Sequence, residues 1–298
     1  MKKLLFLSGK GGTGKTTTAA AFAHFSGAQA LADCDVDAPN LHLVTRLPGE
    51  PQVSAFLGGD KAQVDPAKCI GCGACEAHCR FDAIHRAGDS YAVDAYACEG
   101  CGVCAYMCPQ QAVTLQTDVA GEKRLYKTDT QTFSTARLKM GRGNSGKLVT
   151  EVKLAMLKNA PDCALALIDG SPGIGCPVIA SVSGVDLVLV VAEPSRSGIS
   201  DLQRLLQTAR SFRTRLAVCV NKWDVSPERT REIEAVCAAA DVAFVGKIPY
   251  DKTAAKAINQ GRSVAACPCA ARDALYAVYC RTMALLELPA QPMPAPEI

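Results

Sequence analysis

The sequence predicts an α/β fold, a parallel sheet with helices on both faces, joined to a small inserted α+β domain. Three observations predict it. Short apolar runs alternate with helix-length spacers over most of the 298 residues, as in chains that wrap a buried parallel sheet. A glycine-rich loop at residues 9–16 follows the first apolar run and leads into a helical pattern. A cysteine- and glycine-rich stretch at 64–117 then breaks the alternation, which resumes after it.

Taken in order, residues 4–8 read as the first strand and about 15–25 as the first helix. Residues 28–33 read as the second strand. After the cysteine-rich stretch, 147–158 reads as a helix. Residues 164–168, 187–192, 216–220 and 243–245 read as strands, with helical patterns near 198–212 and 227–240. Residues 270–288 read as a last helix. Pro289, Pro292, Pro294 and Pro296 make 289–298 a tail expected to be disordered. Residues 1–63 and 118–288 therefore form one discontinuous domain, and 64–117 form the insert.

Composition limits the function. The chain is 49% hydrophobic, enough for a sizeable core, and only 5% aromatic. Its net charge is +3, and no block of like charge forms a basic arm, so neither nucleic acid nor a stable membrane association is expected. No apolar stretch approaches the roughly 18 residues of a membrane span. Met1-Lys2-Lys3-Leu4 superficially resembles a secretion signal, but the apolar run breaks at Ser8 and a glycine loop follows at once. The expected compartment is the cytoplasm, where 16 cysteines point to metal rather than disulfides.

The loop Gly9-Lys10-Gly11-Gly12-Thr13-Gly14-Lys15-Thr16 satisfies G-x4-G-K-T between a strand and a helix. Backbone N–H groups of Gly11, Gly12, Thr13 and Gly14, with Thr17 behind them, would face phosphates at a helix N-terminus. Lys15 would reach the terminal phosphates and Thr16 would hold Mg2+. A second near-match at 141–148 has Leu148 where the metal needs a hydroxyl, and no apolar strand is evident before it. It reads as a loop leading into a helix. Asp35 and Asp169 each follow an apolar strand, which favours one shared site at the strand C-termini. Asn221 follows another, where a base would lie.

Two cysteine runs share the spacing C-x2-C-x2-C-x3-C: Cys69, Cys72, Cys75, Cys79 and Cys98, Cys101, Cys104, Cys108. They repeat at a period of 29 residues. This is the ligand spacing of bacterial two-cluster ferredoxins, in which the fourth cysteine crosses to the other cluster. Cys69, Cys72, Cys75 and Cys108 would then hold one 4Fe–4S cluster, and Cys98, Cys101, Cys104 and Cys79 the other. Zinc is the rival metal, but it favours four ligands in C-x2-C pairs. Arg80 stands where the second run has Pro109, with an effect on either cluster potential or loop shape.

Lys10, beside the first glycine, makes the loop resemble that of the MinD/ParA/Mrp family of P-loop ATPases, here with a bacterial-type ferredoxin inserted. The resemblance covers most of the chain outside the insert. It implies a dimer, of two copies or with a paralogue, in which Lys10 reaches the nucleotide of the other subunit. Residues 33–40 look like the family's first switch, with Asp35 positioning the attacking water. Residues 169–173 look like its second, with Asp169 on the Mg2+ shell. Lys10, Lys15, Asp35 and Asp169 are the implied catalytic set. Asn221-Lys222-Trp223-Asp224 also resembles a guanine-reading motif; ATP is the expected nucleotide and GTP stays open. Cys267-Pro268-Cys269 is similar to the paired cysteines that bridge a cluster in Mrp-type carriers, which have two intervening residues. Cys267 and Cys269 are therefore candidate extra cluster ligands.

The expected function is an ATP-driven dimeric switch controlling a two-cluster module that passes electrons to a redox partner. A cluster carrier serving a client metalloprotein and a positioning ATPase of the cell-division kind are the alternatives.

Overall fold

A computed structural model of the chain describes residues 1–45, 47 and 49–296. Glu297 and Ile298, the end of the expected tail, lie outside the described residues. The chain forms two compact units, one of residues 1–53, 123–137 and 145–298, the other of 54–122 and 138–144.

The elements follow one another as β1 (Lys2–Leu7), α1 (Lys15–Ser26) and β2 (Ala30–Asp33). Next come β3 (Gln52–Val64), α2 (Ala74–Ala77), β4 (Ile84–Ala87), β5 (Ser90–Val93), α3 (Val103–Met107) and β6 (Val113–Lys127). The chain continues through β7 (Thr132–Leu138), α4 (Ser145–Asn159), β8 (Leu165–Asp169), α5 (Cys176–Val182), β9 (Leu187–Ala192) and α6 (Arg196–Arg210). It closes with β10 (Arg215–Asn221), α7 (Pro227–Ala239), β11 (Ala243–Ile248), α8 (Lys252–Asn259) and α9 (Ala270–Leu286).

In the first unit the strand order is β11-β10-β9-β1-β8-β2-β7. Every neighbouring pair in that series is parallel. β8 and β9 are buried along their whole length, which is why they read as continuous apolar runs rather than alternating ones. Register places Asp169 level with Phe6 on one side and Asp33 on the other. The residues just beyond β1, β2 and β8 thus gather at one edge of the sheet, where ligands bind in open α/β sheets. Phe22 of α1 packs edge-on against Phe6 at 5.1 Å and Tyr279 of α9 at 5.4 Å. These aromatic pairs fix α1 between β1 and α9.

Outside the cysteine-rich stretch, β3, β7, α5 and α8 lie where the sequence shows no clear pattern. β7 also precedes the near-match at 141–148, contrary to expectation. Its sequence, TFSTARL, is buried at every residue but Arg137 although three of the buried residues are polar, so it lacks the apolar signature. The described part of the tail, 289–296, has no regular secondary structure but is held on α9. Tyr276 donates to the Gln291 carbonyl at 2.9 Å, Gln291 N–H donates to Tyr279 Oη at 3.2 Å, and Arg272 donates to the Pro294 carbonyl.

The second unit is wider than the expected 64–117, because β3 and β6 extend well beyond the cysteine-rich stretch. Its core gathers Ala62, Ala83, Ile84, Tyr91 and Val113 around Cys75, Cys98 and Cys104. β4 and β5 form an antiparallel hairpin with Ile84 opposite Val93. Arg142 ties the unit together: it meets Asp118 at 3.2 Å, donates to the Ala95 carbonyl at 2.7 Å and lies over the Tyr96 ring at 5.2 Å. No helix among the described residues is long and apolar enough to cross a membrane.

Candidate functional site

In the first unit the glycine loop closes over the N-terminus of α1. Gly14 has φ +96°, and a Cβ there would lie 2.2 Å from Asn221 Nδ2. Only glycine meets both demands. Asn221 Nδ2 donates to the Thr13 carbonyl at 2.8 Å, so the residue expected to read a base also braces the loop. Gly12, Gly14, Thr17, Asn221, Tyr250 and Asp251 line part of one cleft. Tyr250 and Asp251 lie just beyond β11 and belong to no motif that singles them out in the sequence.

Lys15 is almost fully buried and its ammonium lies 2.6 Å from Asp169 Oδ1 and 3.7 Å from Asp35 Oδ2. Thr16 Oγ1 donates to Asp169 Oδ2 at 2.7 Å. The structure therefore brings together Lys15, Thr16, Asp35 and Asp169. Burial opposes the charge on Lys15, but Asp169 above all, then Asp35 and Asp33, hold its pKa above the usual value. Burial pushes the Asp35 carboxyl up to about 6; Lys15 opposes this, while Asp169 and Asp37 add to it.

Asp33 is the acidic residue that motif reading passed over. It is fully buried, and its carboxylate accepts from the N–H groups of Asp35 at 3.1 Å and of Asn40 and Leu41 at 2.9 Å each. It folds the loop 35–41 around itself and so sets the position of Asp35. Burial, then the charge of Asp169, push its pKa to about 7, against the N–H donors and Lys15. Ser171 Oγ donates to the Cys34 carbonyl at 2.7 Å, linking the stretches after β2 and β8.

Lys10 does not join this group. Its ammonium lies 3.1 Å from Glu193 Oε2 and 3.3 Å from Ser197 Oγ. Glu193 and Ser197, which sequence reading missed, hold it at the end of β9 and the start of α6.

In the second unit the eight run cysteines divide into two cavities. One is lined by Cys69, Cys72, Cys75 and Cys108, the other by Cys79, Cys98, Cys101 and Cys104. Each cavity thus takes three cysteines from one run and the fourth from the other. Peptide N–H groups donate to sulfur at Cys79 (Ala83, 3.4 Å), Cys108 (Ala112, 3.2 Å) and Cys98 (Ala62, 3.5 Å). Such donors favour thiolates and fit cluster ligation. Burial pushes the Cys75 and Cys104 thiols up. The Ser90 hydroxyl, then the Gly71 N–H, favour the Cys69 thiolate and hold its pKa below the usual value. Among the described residues no three His, Cys, Asp or Glu converge tightly enough for a single metal ion. Cubane ligands stand further apart, because each thiolate reaches a different iron.

Cys267 and Cys269 lie elsewhere, in the first unit. Cys267 is buried and its thiol faces the Ser263 carbonyl at 3.8 Å; Cys269 caps α9 and burial pushes its thiol up. Burial also pushes Cys34 upward and Cys219 to about 12, so both act as small hydrophobes.

The fold and the phosphate loop define a P-loop nucleotide-binding protein. Residues 4–264 match the CobQ/CobB/MinD/ParA nucleotide-binding domain, and the chain belongs to that family. Its MinD/ParA members are ATPases, and this chain is an ATPase of the MinD/ParA kind. An uncharacterized protein of Methanocaldococcus jannaschii is 34% identical over 74% of this chain and 78% of its own. An uncharacterized ATP-binding protein of the same organism is 26% identical over 85% and 76%. Among solved structures, the cell-division ATPase MinD of Pyrococcus furiosus superposes with TM-score 0.56 at 17% identity, covering 95% of this chain and 99% of that one. MinD of Pyrococcus horikoshii complexed with Mg-ADP gives 0.55 at 15% identity, over 96% and 97%. At such identities these two matches speak for the fold alone.

Proposed function

We propose that this ATPase is a dimeric switch whose nucleotide state governs a module of two 4Fe–4S clusters that exchanges electrons with a partner protein. The carrying observation is that one chain combines the Lys15, Thr16, Asp169 cluster with two cavities each lined by four cysteines. Cys69, Cys72, Cys75 and Cys108 would hold one cluster, and Cys79, Cys98, Cys101 and Cys104 the other. When bound, such clusters store and release single electrons.

The residues of the first unit would act on ATP as follows. Backbone N–H groups of 11–16 bind the phosphates, Lys15 offsets their charge, and Thr16 with Asp169 holds Mg2+. Phosphate oxygens compete with Asp169 for Lys15, which loosens its pair with Asp35. Asp35, on the loop folded around Asp33, then orients the attacking water. Lys10 leaves Glu193 to reach the nucleotide of the second subunit. Asn221 contacts the base, with ATP favoured over GTP. The protein would work in the cytoplasm, without nucleic acid or stable membrane association.

The test is to measure ATPase rate and dimerisation with the module oxidised and with it reduced. A change in either on reduction is expected, and equal values in both states overturn the coupling. The carrier reading, resting on Cys267 and Cys269, is less favoured because Cys267 is buried. Iron lost specifically in Cys267→Ala would restore it. For the positioning reading, ATP-dependent sedimentation with liposomes is the discriminating measurement.

A further inference from the structure

The 29-residue repeat of the second unit is also a repeat in space. The Asp60 carbonyl lies where a Cβ on Gly100 would sit, at 2.0 Å, and the Asp89 carbonyl crowds the same point on Gly71, at 3.0 Å. Both members of each pair are related by the same 29-residue shift. Asp65 N–H donates to the Ala112 carbonyl at 2.7 Å, and Asp94 N–H donates to Ala83 at 2.7 Å. Each half therefore lays one short segment across the cysteine loop of the other. Segment 60–62 covers the loop beginning at Cys98, and 89–91 covers the loop beginning at Cys69.

Equivalent residues on those segments differ in charge. Lys61 donates its ammonium to the Cys98 carbonyl, while the next residue, Ala62, gives its N–H to Cys98 Sγ at 3.5 Å. The counterpart of Lys61 is Ser90, whose buried hydroxyl stands against Cys69. One loop is thus met by a fixed, half-buried cation and the other by a neutral hydroxyl. Arg80 follows Cys79, of the same set as Cys98, where the other half has Pro109. Glu99 opposes it in sign, but both are exposed. Water and salt screen them more than Lys61, which is half-buried and anchored.

We infer that Lys61 biases the pair: the set of Cys79, Cys98, Cys101 and Cys104 is the more readily reduced of the two. This rests on the cluster reading above. Reduction adds one negative charge to a site, and a fixed cation beside that site stabilises the added charge more than a hydroxyl dipole does. Lys61 is a positioning and tuning residue, since it touches a ligand's backbone and not the metal.

The test is a potentiometric titration of the full chain, loaded anaerobically, with dithionite as reductant and spin resonance as readout. The native protein should show two separated midpoints. Lys61→Ser, with its iron retained, should lose most of that separation by a fall of the upper midpoint. Lys61→Arg should keep it. Lys61→Ser combined with Ser90→Lys should restore a separation, and Ser90→Lys alone should raise the lower midpoint. Unmoved midpoints in fully loaded Lys61→Ser overturn the inference. Should that variant load poorly, unmoved midpoints in Ser90→Lys overturn it equally. A native protein holding neither iron nor sulfide would instead remove the cluster reading itself, and this inference with it.

Discussion

Lys15 Nζ lies 2.6 Å from Asp169 Oδ1, and both side chains are almost wholly out of water. Removing one partner of a buried pair leaves the other charge uncompensated, at a cost of about 3–5 kcal/mol. Lys15→Met and Asp169→Asn should each destabilise the nucleotide-free protein on that scale. The double variant should cost clearly less than their sum. Urea unfolding of the four proteins checks this; strict additivity would mean the pair is not coupled.

Lys10, 3.1 Å from Glu193, is held away from the Lys15 group. Lys10→Ala should leave ATP affinity nearly unchanged while abolishing ATP-induced dimers. Hydrolysis should fall by about 10³-fold, the scale set by a charge supplied in trans. Analytical ultracentrifugation with ATP, beside a phosphate-release assay, reads both effects.

If the second unit holds two 4Fe–4S clusters as proposed, the crossed cysteine sets make a pairing prediction. Cys75→Ala and Cys108→Ala should deplete the same cluster, each leaving about four of about eight irons. Combined, they should lose no more than either alone. Cys75→Ala with Cys79→Ala should leave almost none. Iron and sulfide analysis under anaerobic conditions decides between this and an uncrossed pattern.

Lys153 donates to the carbonyls of Ala180, Ser181 and Ser183 at 2.9, 2.7 and 2.7 Å, closing the C-terminal end of α5. Burial lowers its pKa. Lys153→Met strands three carbonyls, and the expected loss is about 2–4 kcal/mol of unfolding free energy. Lys153→Arg should recover part of it, read from denaturant midpoints.

Asp33 has its pKa raised to about 7 by burial and the nearby charge of Asp169, against about 3.9 in an unfolded chain. Between those values the folded protein holds a proton that the unfolded chain has released. This contribution is therefore full below about pH 4 and is lost as the pH rises through 7. Asp33→Asn should flatten the stability–pH curve across that window. Thermal unfolding in magnesium-free buffers is the check.

The parts legible in advance were local in sequence. The loop 9–16 and the two cysteine runs carry their chemistry in fixed short spacings, and strands such as β8 and β9 are apolar throughout. Glu193 and Ser197 were not legible, because Lys10 meets them across more than 180 residues. Asp33 escaped because an aspartate ending a strand looks the same whether it folds a loop or faces water. β7 was hidden by its threonines and serine, which are buried all the same. The period of 29 was visible, but only the crossing of 60–62 and 89–91 over opposite loops shows that Lys61 and Ser90 are a matched pair.

The exchange of Cys79 and Cys108 between halves makes neither half self-sufficient. A single repeat cut from this chain owns three cysteines of one cavity and one of the other, so it can complete neither. On the proposed reading, a lone repeat should retain neither cluster, whereas the intact chain should lose one cavity's iron without losing the other's.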